Sequence, residues 1–399
     1  MKLLRTSFLC LCAFAVTVFL AGCGFNNRPS SNSGGGSGSA SGSGASNSAY
    51  VYVASAANAR SGQIFGFLAA ADGSLTALTG SPYPAPGISS LAATNSNVFA
   101  TVLGLDIQSY SIGPNGAIAL AATTNAEQND SPPTEGGPVS VFLDKDGQTV
   151  YTNDAYGYQG NSAYQAYSIQ PAGRLSFLGM STNDDPQDQQ LSFTGNDQYA
   201  YGSDCHMFSP NIYGYVRNAS GELTDLNTNA NLPTPPSGIG YCPEGAAVAG
   251  NQPYLVIALQ GSASPYEAGS WQLALYSIQG DGTLTTTSTP ANMPTTAVGQ
   301  IYDYRFDPTG NYLAVAGALG VQLYALRNGA LAQVSFLALR QAITQVGWDA
   351  VGHLYAISGP AGVLLPIQVM DGGSSLQAGN PVSLPPYLNG LAIAHTTCR

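Results

Sequence analysis

Short stretches of alternating hydrophobic and polar residues, separated by turn residues, cover the chain from Ala49 to its end. The stretches are rich in Val, Tyr, Phe and Ile, and Gly, Asn and Asp stand between them, which is typical of β-strands joined by tight turns. We find no convincing amphipathic helix in this region. The pattern therefore predicts an all-β domain over residues 49–399.

A Gly-x-Leu or Gly-x-Ile signature recurs through this domain. Copies begin at Gly73, Gly116, Gly173, Gly221, Gly282 and Gly329, and a degenerate copy begins at Gly373. Their spacing of 43 to 61 residues, with four strand signals in each interval, predicts a β-propeller. In each repeat, strand a is a short apolar segment, strand b follows a tight turn, strand c is rich in aromatic residues and strand d begins at the signature. Seven such repeats fit.

The two ends of the domain complete one repeat between them. The domain opens on Tyr50-Val-Tyr-Val-Ala54, which has the pattern of a strand b without its strand a. Gly390-Leu-Ala-Ile-Ala-His395, at the other end, has the pattern of the missing strand a. Pairing of these two strands would close the ring and remove its open sheet edges. We therefore predict a seven-bladed propeller in which the C-terminal strand completes the N-terminal blade.

The opening motifs resemble those of a known family. The sequences Tyr50–Ala54, Gln63-Ile-Phe-Gly-Phe67, Gly73-Ser-Leu-Thr76 and Gly80-Ser-Pro-Tyr83 are similar to those of lactonase-type, 6-phosphogluconolactonase-like seven-bladed propellers, which are common among bacterial lipoproteins. The resemblance covers nearly all of residues 49–399. It implies the architecture more strongly than an activity, since one fold carries many functions.

The strand assignment predicts two unequal rims. The a–b and c–d turns are short, whereas the b–c and d–a connections are long, and long loops on a rigid scaffold often carry function. They are predicted to form a binding face that includes Tyr156, Tyr158, Tyr164, Tyr266 and Trp271, with Asp184, Asp185, Asp188, Glu244 and Asp303 nearer the centre. The alternative is that these loops are neutral surface.

Two cysteines fall on the predicted long-loop side of neighbouring blades. Cys205 ends a strand b and Cys242 precedes the next strand a, so a Cys205–Cys242 disulfide is expected in an oxidising compartment. A metal pair using both cysteines and His206 is the less favoured alternative, because no Cys-x-x-Cys or His-x-x-x-His spacing is present. No metal site or cofactor is predicted.

The catalytic signal is weak. The resemblance implies a histidine before the third strand a and a later Pro-Arg-His run, but this chain has Gly136-Gly-Pro-Val-Ser-Val141 at the first position and lacks the run. The best available set for lactone hydrolysis is His206 or Glu244 as base with Arg305 as oxyanion stabiliser. Asp303 and Arg305 could instead form a structural salt bridge. We favour a binding module that uses the long-loop face for a protein, peptide or glycan, with a lactone hydrolase as the alternative.

The N-terminus has the features of an export and lipidation signal. Lys2 and Arg5 precede an apolar run from Phe8 to Leu20 that is too short to span a bilayer. Leu20-Ala21-Gly22-Cys23 resembles a lipoprotein processing box, which predicts a signal peptide at 1–22 and lipidation of Cys23. A Gly/Ser-rich tether follows to residue 48. The alternative is an ordinary cleaved signal with a chance cysteine.

Composition narrows the possible partners. Of the 399 residues, 44% are hydrophobic and only 8% are charged, so the chain can bury a large core. The net charge is −11, which disfavours nucleic acid as a partner. We expect a monomer in the bacterial cell envelope, with its lipid in the outer membrane, facing the periplasm or the exterior. Lys145 is the one lysine left after residue 22, and no Gly-Lys pair could build a phosphate loop.

Overall fold

The computed structural model describes residues 49–58, 61–102, 106–126, 138–154, 164–181, 190–205, 210–226, 230–262 and 269–395. Within them, seven antiparallel sheets form the seven blades of a propeller, which confirms the predicted fold class. No helix in this part of the chain has the length and apolar character needed to cross a membrane. Residues 1–48 and Cys398 lie outside the described part.

The strands of each blade are given from the innermost, a, to the outermost, d. Blade 1 contains β30 (Leu388–His395), β1 (Ala49–Asn58), β2 (Ser61–Ala69) and β3 (Leu75–Ala77). Blade 2 contains β5 (Ile88–Ala93), β6 (Asn97–Val102), β7 (Asp106–Ile112) and β8 (Ile118–Asn125). Blade 3 contains β9 (Pro138–Leu143), β10 (Thr149–Asp154), β11 (Gln165–Ile169) and β12 (Leu175–Met180). Blade 4 contains β13 (Ser192–Phe193), β14 (Tyr199–Asp204), β15 (Asn211–Arg217) and β16 (Leu223–Asp225).

The remaining three blades follow the same order. Blade 5 contains β17 (Gly240–Val248), β18 (Tyr254–Ser262), β19 (Trp271–Ile278) and β20 (Leu284–Thr286). Blade 6 contains β21 (Ile301–Phe306), β22 (Tyr312–Gly317), β23 (Gly320–Arg327) and β24 (Ala330–Ala338). Blade 7 contains β25 (Gln345–Trp348), β26 (Leu354–Ser358), β27 (Val363–Met370) and β28 (Ser375–Ala378). The short strands β4 (Tyr83–Ala85) and β29 (Val382–Ser383) extend blades 1 and 7, and 3-10 turns lie at Pro171–Gly173 and Asp371–Gly373.

The ring is closed by pairing of the first and last strands of the domain. Strand β30 runs antiparallel to β1, with Ala49 opposite His395 and Ala54 opposite Gly390. The residues of β30 alternate between buried and partly exposed positions, as expected for a strand whose two faces meet different surroundings. The predicted closure is therefore confirmed.

The repeated glycine has a structural role between blades. In every blade this glycine has a positive φ, from +71° at Gly329 to +101° at Gly221, which a residue with a side chain adopts only with strain. It lies against the residue at the start of strand b in the preceding blade. For example, a Cβ on Gly282 would lie 2.5 Å from the ring of Tyr199. The signature therefore marks contacts between blades as well as turns.

Buried tyrosines strengthen the same interfaces. The hydroxyl groups of Tyr52, Tyr151 and Tyr201, each on a strand b, donate hydrogen bonds to the carbonyl oxygens of Gly116, Gly221 and Gly282 at 2.7, 2.6 and 2.8 Å. All three tyrosine side chains are fully buried. A buried tyrosine contributes apolar area through its ring and needs a partner for its hydroxyl, and the glycine carbonyl of the next blade supplies one.

The two rims differ only in part as predicted, because several b–c connections are as short as the a–b turns. The a–b turns occupy residues such as 144–148, 307–311 and 349–353, and the c–d turns are similarly short. The d–a connection before β21 is long, at residues 287–300, whereas the b–c connections of blades 6 and 7 contain residues 318–319 and 359–362. We call the first side the short-turn rim and the second the long-loop rim. The chain runs from the long-loop rim to the short-turn rim along every strand a.

Candidate functional site

A polar channel runs through the centre of the ring and has a volume of about 810 Å³. Its wall is built from strand a of all seven blades. Because the inner edge of strand a has no neighbouring strand, some of its N–H groups need other acceptors. Side chains of the preceding blade provide them: Ser90 Oγ for Val141, Ser192 Oγ for Val248, and Asp303 Oδ2 for Val346, at 3.3, 3.0 and 2.9 Å.

Glu244 enters the channel because of a β-bulge in β17. The register between β17 and β18 shifts between Glu244 and Ala247, and Gly245 has a φ of +72° at that point. The hydroxyl of Tyr304 donates to the carbonyl oxygen of Glu244 at 2.9 Å and holds the bulge. The carboxyl group faces the channel, and the surrounding protein raises its pKa above the ordinary range of glutamate by desolvation.

Asp303 joins three blades. Its Oδ1 accepts hydrogen bonds from Gln190 Nε2 at 2.6 Å and from Arg305 Nε at 3.2 Å, while its Oδ2 accepts from the Val346 N–H. Its side chain is almost completely buried, at 4% exposure. These contacts support the structural interpretation of the Asp303–Arg305 pair, because a carboxylate that accepts three hydrogen bonds has little capacity left for a ligand.

The strand register shows how far each candidate residue lies along the channel between the two rims, which we call its height. Tyr254 and Tyr312 occupy equivalent places against the next blade's glycine, so the strands b of blades 5 and 6 can be compared residue by residue. Glu244 pairs with Ala258 and Asp303 pairs with Ala316, each four residues beyond its tyrosine, so the two acids lie at one height. Arg305 is two residues closer to the short-turn rim, roughly 7 Å along the strand. Glu244 and Arg305 therefore share the channel at different heights.

Two aromatic residues of the predicted binding face, Tyr164 and Trp271, lie in the described part of the chain, and both are buried. Tyr164 is 0% exposed and packs edge-on against Tyr215, with ring centroids 5.6 Å apart. Trp271 is 6% exposed and packs in the core between blades 5 and 6. Tyr164 immediately precedes β11 and Trp271 is the first residue of β19, so both rings belong to the packed cores around strands c. His206, Tyr156, Tyr158, Asp188 and Tyr266 lie outside the described residues.

The predicted disulfide is present. Cys205 follows β14 and bonds to Cys242, with the Cα atoms 5.0 Å apart. Cys242 lies within β17 rather than before strand a, two residues from Glu244, and Cys205 lines the channel. The bond thereby links blade 4 to the strand that carries Glu244. No group of three His, Cys, Asp or Glu side chains in the described part of the chain is placed to hold a metal ion.

Several residues of the channel were not identified from the sequence. At the long-loop end they include Gln300, which is exposed, and Tyr302, which is 42% exposed. At the short-turn end they include Lys145 and Trp348. Their position in the repeat could have identified them, because residues on strand a or next to it line the channel.

Comparison with known proteins supports the architecture. No protein-family model matches the chain, and no curated protein matches its sequence. Among solved structures, the chain is similar to a putative 6-phosphogluconolactonase from Bacteroides uniformis, with a TM-score of 0.66, 17% identity, and coverage of 87% of this chain and 99% of that one. It is also similar to the periplasmic gluconolactonase of Pseudomonas aeruginosa, with a TM-score of 0.64, 14% identity, and coverage of 87% and 99%.

A third solved structure, a putative 6-phosphogluconolactonase from Bacteroides fragilis, has a TM-score of 0.62 and 14% identity, with coverage of 87% of this chain and 98% of that one. The chain thus shares the seven-bladed propeller fold of these solved structures. At these identities the likeness concerns the fold, because functional residues can differ completely on a common scaffold.

Proposed function

We propose that the chain is a lipid-anchored binding propeller of the bacterial cell envelope, which takes a small polyhydroxylated ligand, such as the end of a glycan, at the long-loop end of its channel. One observation carries this proposal. Glu244, Gln300 and Tyr302 are exposed around that end, within a channel of about 810 Å³. Small-molecule sites commonly have volumes of about 300–1,000 Å³.

The chemistry of these side chains suits hydroxyl groups. A carboxylate accepts hydrogen bonds, an amide both donates and accepts, and a tyrosine adds an apolar ring face with a polar hydroxyl. The Cys205–Cys242 disulfide holds the strand that carries Glu244 against the neighbouring blade, which limits the entropy lost when a ligand orders the site.

Binding should depend on Tyr302. Purified residues 49–399 are titrated by calorimetry with a panel of neutral monosaccharides and oligosaccharides. We expect Tyr302→Ala to weaken binding by about tenfold, because one ring contact is worth roughly 1.4 kcal/mol. Tyr387→Ala is the matched control, since Tyr387 is 60% exposed but does not line the channel. Equal weakening by both variants, or no binding of any sugar by the native protein, would contradict the proposal.

Lactone hydrolysis is the second candidate, favoured by the raised pKa of Glu244 and by the solved gluconolactonases that share the fold. Glu244 would take a proton from a water molecule while the oxygen of that water attacks the lactone carbonyl carbon. The ring C–O bond then breaks, and the proton passes to the departing oxygen. Arg305, with a side chain long enough to extend along the channel, would stabilise the oxyanion. His206 is the alternative base.

The same panel distinguishes binding from catalysis when gluconolactone and related lactones are included. Acid release by the native protein that is lost in Glu244→Gln, with binding retained, would establish hydrolysis. Binding of sugars without acid release from any lactone would leave the binding function alone.

Lipidation of Cys23 accounts for the envelope location that we propose. Cells grown with radiolabelled palmitate should incorporate label into the full-length protein, because a processed lipobox cysteine carries acyl chains that anchor stably when more than one is present. Cys23→Ala should abolish the label, whereas Cys398→Ala should retain it. Label that persists in Cys23→Ala would exclude this anchor and leave an ordinary signal peptide.

A further inference from the structure

The short-turn end of the channel contains two cationic side chains. Arg305 lies near the end of β21 in blade 6, and Lys145 follows β9 in the a–b turn of blade 3. Both line the channel, although they come from blades separated by two others on one side of the ring. Desolvation by the surrounding protein and repulsion from Arg305 lower the pKa of Lys145, although its side chain keeps contact with solvent. Two solvent-exposed cationic side chains therefore face the same channel.

Among the described residues, the nearby carboxylates leave N–H donors of both cations without a side-chain acceptor. Asp303 engages Nε of Arg305, and no other acceptor for the guanidinium is found among the described residues. The arginine side chain is 50% exposed. Asp197 is the acid near Lys145, but its two oxygens accept the backbone N–H groups of Lys145 and Asp146 at 2.6 and 2.8 Å. Within the described chain, Lys145 forms no salt bridge with Asp197 or any other acid.

Such an arrangement is uncommon in this protein. The chain has 11 basic and 22 acidic residues, and Lys145 is its one lysine beyond the N-terminal segment. Two cations that face one channel repel each other, and an anion bound between them would relieve that repulsion. An ammonium acts as a compact point charge, whereas a guanidinium can donate two parallel hydrogen bonds to one oxyanion.

We infer that Lys145 and Arg305 form a binding site for the oxyanion group, carboxylate or phosphate, of a small molecule that enters the central channel. Trp348 borders the site, because its Nε1–H donates to the carbonyl oxygen of Arg305 at 3.0 Å. This inference does not rest on the glycan site at the long-loop end, which uses Glu244, Gln300 and Tyr302. Arg305 is shared with the lactone-hydrolase alternative, whereas Lys145 belongs to this site alone.

Tryptophan fluorescence and calorimetry test the site directly. The protein has two tryptophans, and Trp271 is buried in the core, so Trp348 is the ring placed to sense an anion in the channel. Inorganic phosphate and acetate are titrated separately into residues 49–399 at constant ionic strength, with chloride as the balancing ion. We expect saturable binding of at least one of them, in the millimolar range or tighter. The probe that binds identifies which oxyanion the site prefers.

Neutral variants establish which side chains are responsible. Lys145→Met and Arg305→Met should each weaken binding at least about tenfold, the size expected for losing one charge-assisted hydrogen bond. Arg327→Met is the matched control, because Arg327 is exposed at the end of β23 and does not line the channel. Circular dichroism confirms that each variant is folded. Absence of saturable binding up to about 50 mM of either anion, or unchanged binding in both channel variants, would overturn the inference.

Discussion

Gly282→Ala should destabilise the propeller by about 3 kcal/mol, although the substitution adds a single methyl group to a surface turn. The φ of Gly282 is +83°, which costs an alanine roughly 1 kcal/mol. The added Cβ would also lie 2.5 Å from two ring carbons of Tyr199 in the neighbouring blade. Tyr199 could not retreat freely, because its hydroxyl donates to the carbonyl oxygen of Gly280 at 3.0 Å.

Gly280→Ala, two residues earlier in the same turn, is the control. A Cβ on Gly280 would meet no atom within 4 Å, and its φ is outside the positive region. We expect its free energy of unfolding to stay within about 0.5 kcal/mol of the native value. Urea unfolding followed by circular dichroism measures both variants. Similar values for the two would show that the repeated glycine is a turn preference and does not hold blades together.

Removal of β30 should have a still larger effect. Without residues 388–395, the strand β1 loses its partner along Ala49–Ser55, and blade 1 is left with an open inner edge. Packing of Leu388, Ala392 and Ala394 in the cores around blade 1 is lost as well. We expect the truncated protein to lose cooperative unfolding and to self-associate, because a long unpaired edge is a template for strand pairing. Size-exclusion chromatography and thermal denaturation report these changes.

A rearranged chain provides the matched control for this truncation. Since His395 lies opposite Ala49, residues 388–395 can be placed before Ala49 and joined to it by the short turn 307–311 of blade 6. The resulting hairpin has the connection that joins strands a and b in the other blades. It should restore monomeric behaviour and cooperative unfolding. A truncated protein that remains monomeric and equally stable would show that the closure contributes little.

The fold could be predicted from the sequence because its determinants repeat. The glycine signature marks the same turn in every blade, and the pattern of Gly390–His395 supplied the missing strand. Cys205 and Cys242 could be paired because the blade assignment placed them on one rim. Each of these inferences uses a property that is local in sequence, or that every repeat shares.

The site was harder to predict because it depends on details that differ between blades. Whether a side chain on strand a faces the channel depends on irregularities such as the bulge at Glu244, which no periodic pattern reveals. Tyr164 and Trp271 were assigned to a surface by their place near long connections, yet three-dimensional packing turns both rings inward. Lys145 stood out in the sequence only as a lone lysine, and its place on the channel wall arises from the geometry of the whole ring.

The side chains that satisfy the inner edges of the blades also limit how a partner can bind. Peptides are often captured by extending a sheet, which requires free N–H and carbonyl groups on an exposed strand. At Val141, Val248 and Val346 the inner N–H group is already engaged by Ser90, Ser192 or Asp303. A peptide could not dock through those backbone groups without displacing a side chain. Recognition along this part of the wall must therefore proceed through side chains.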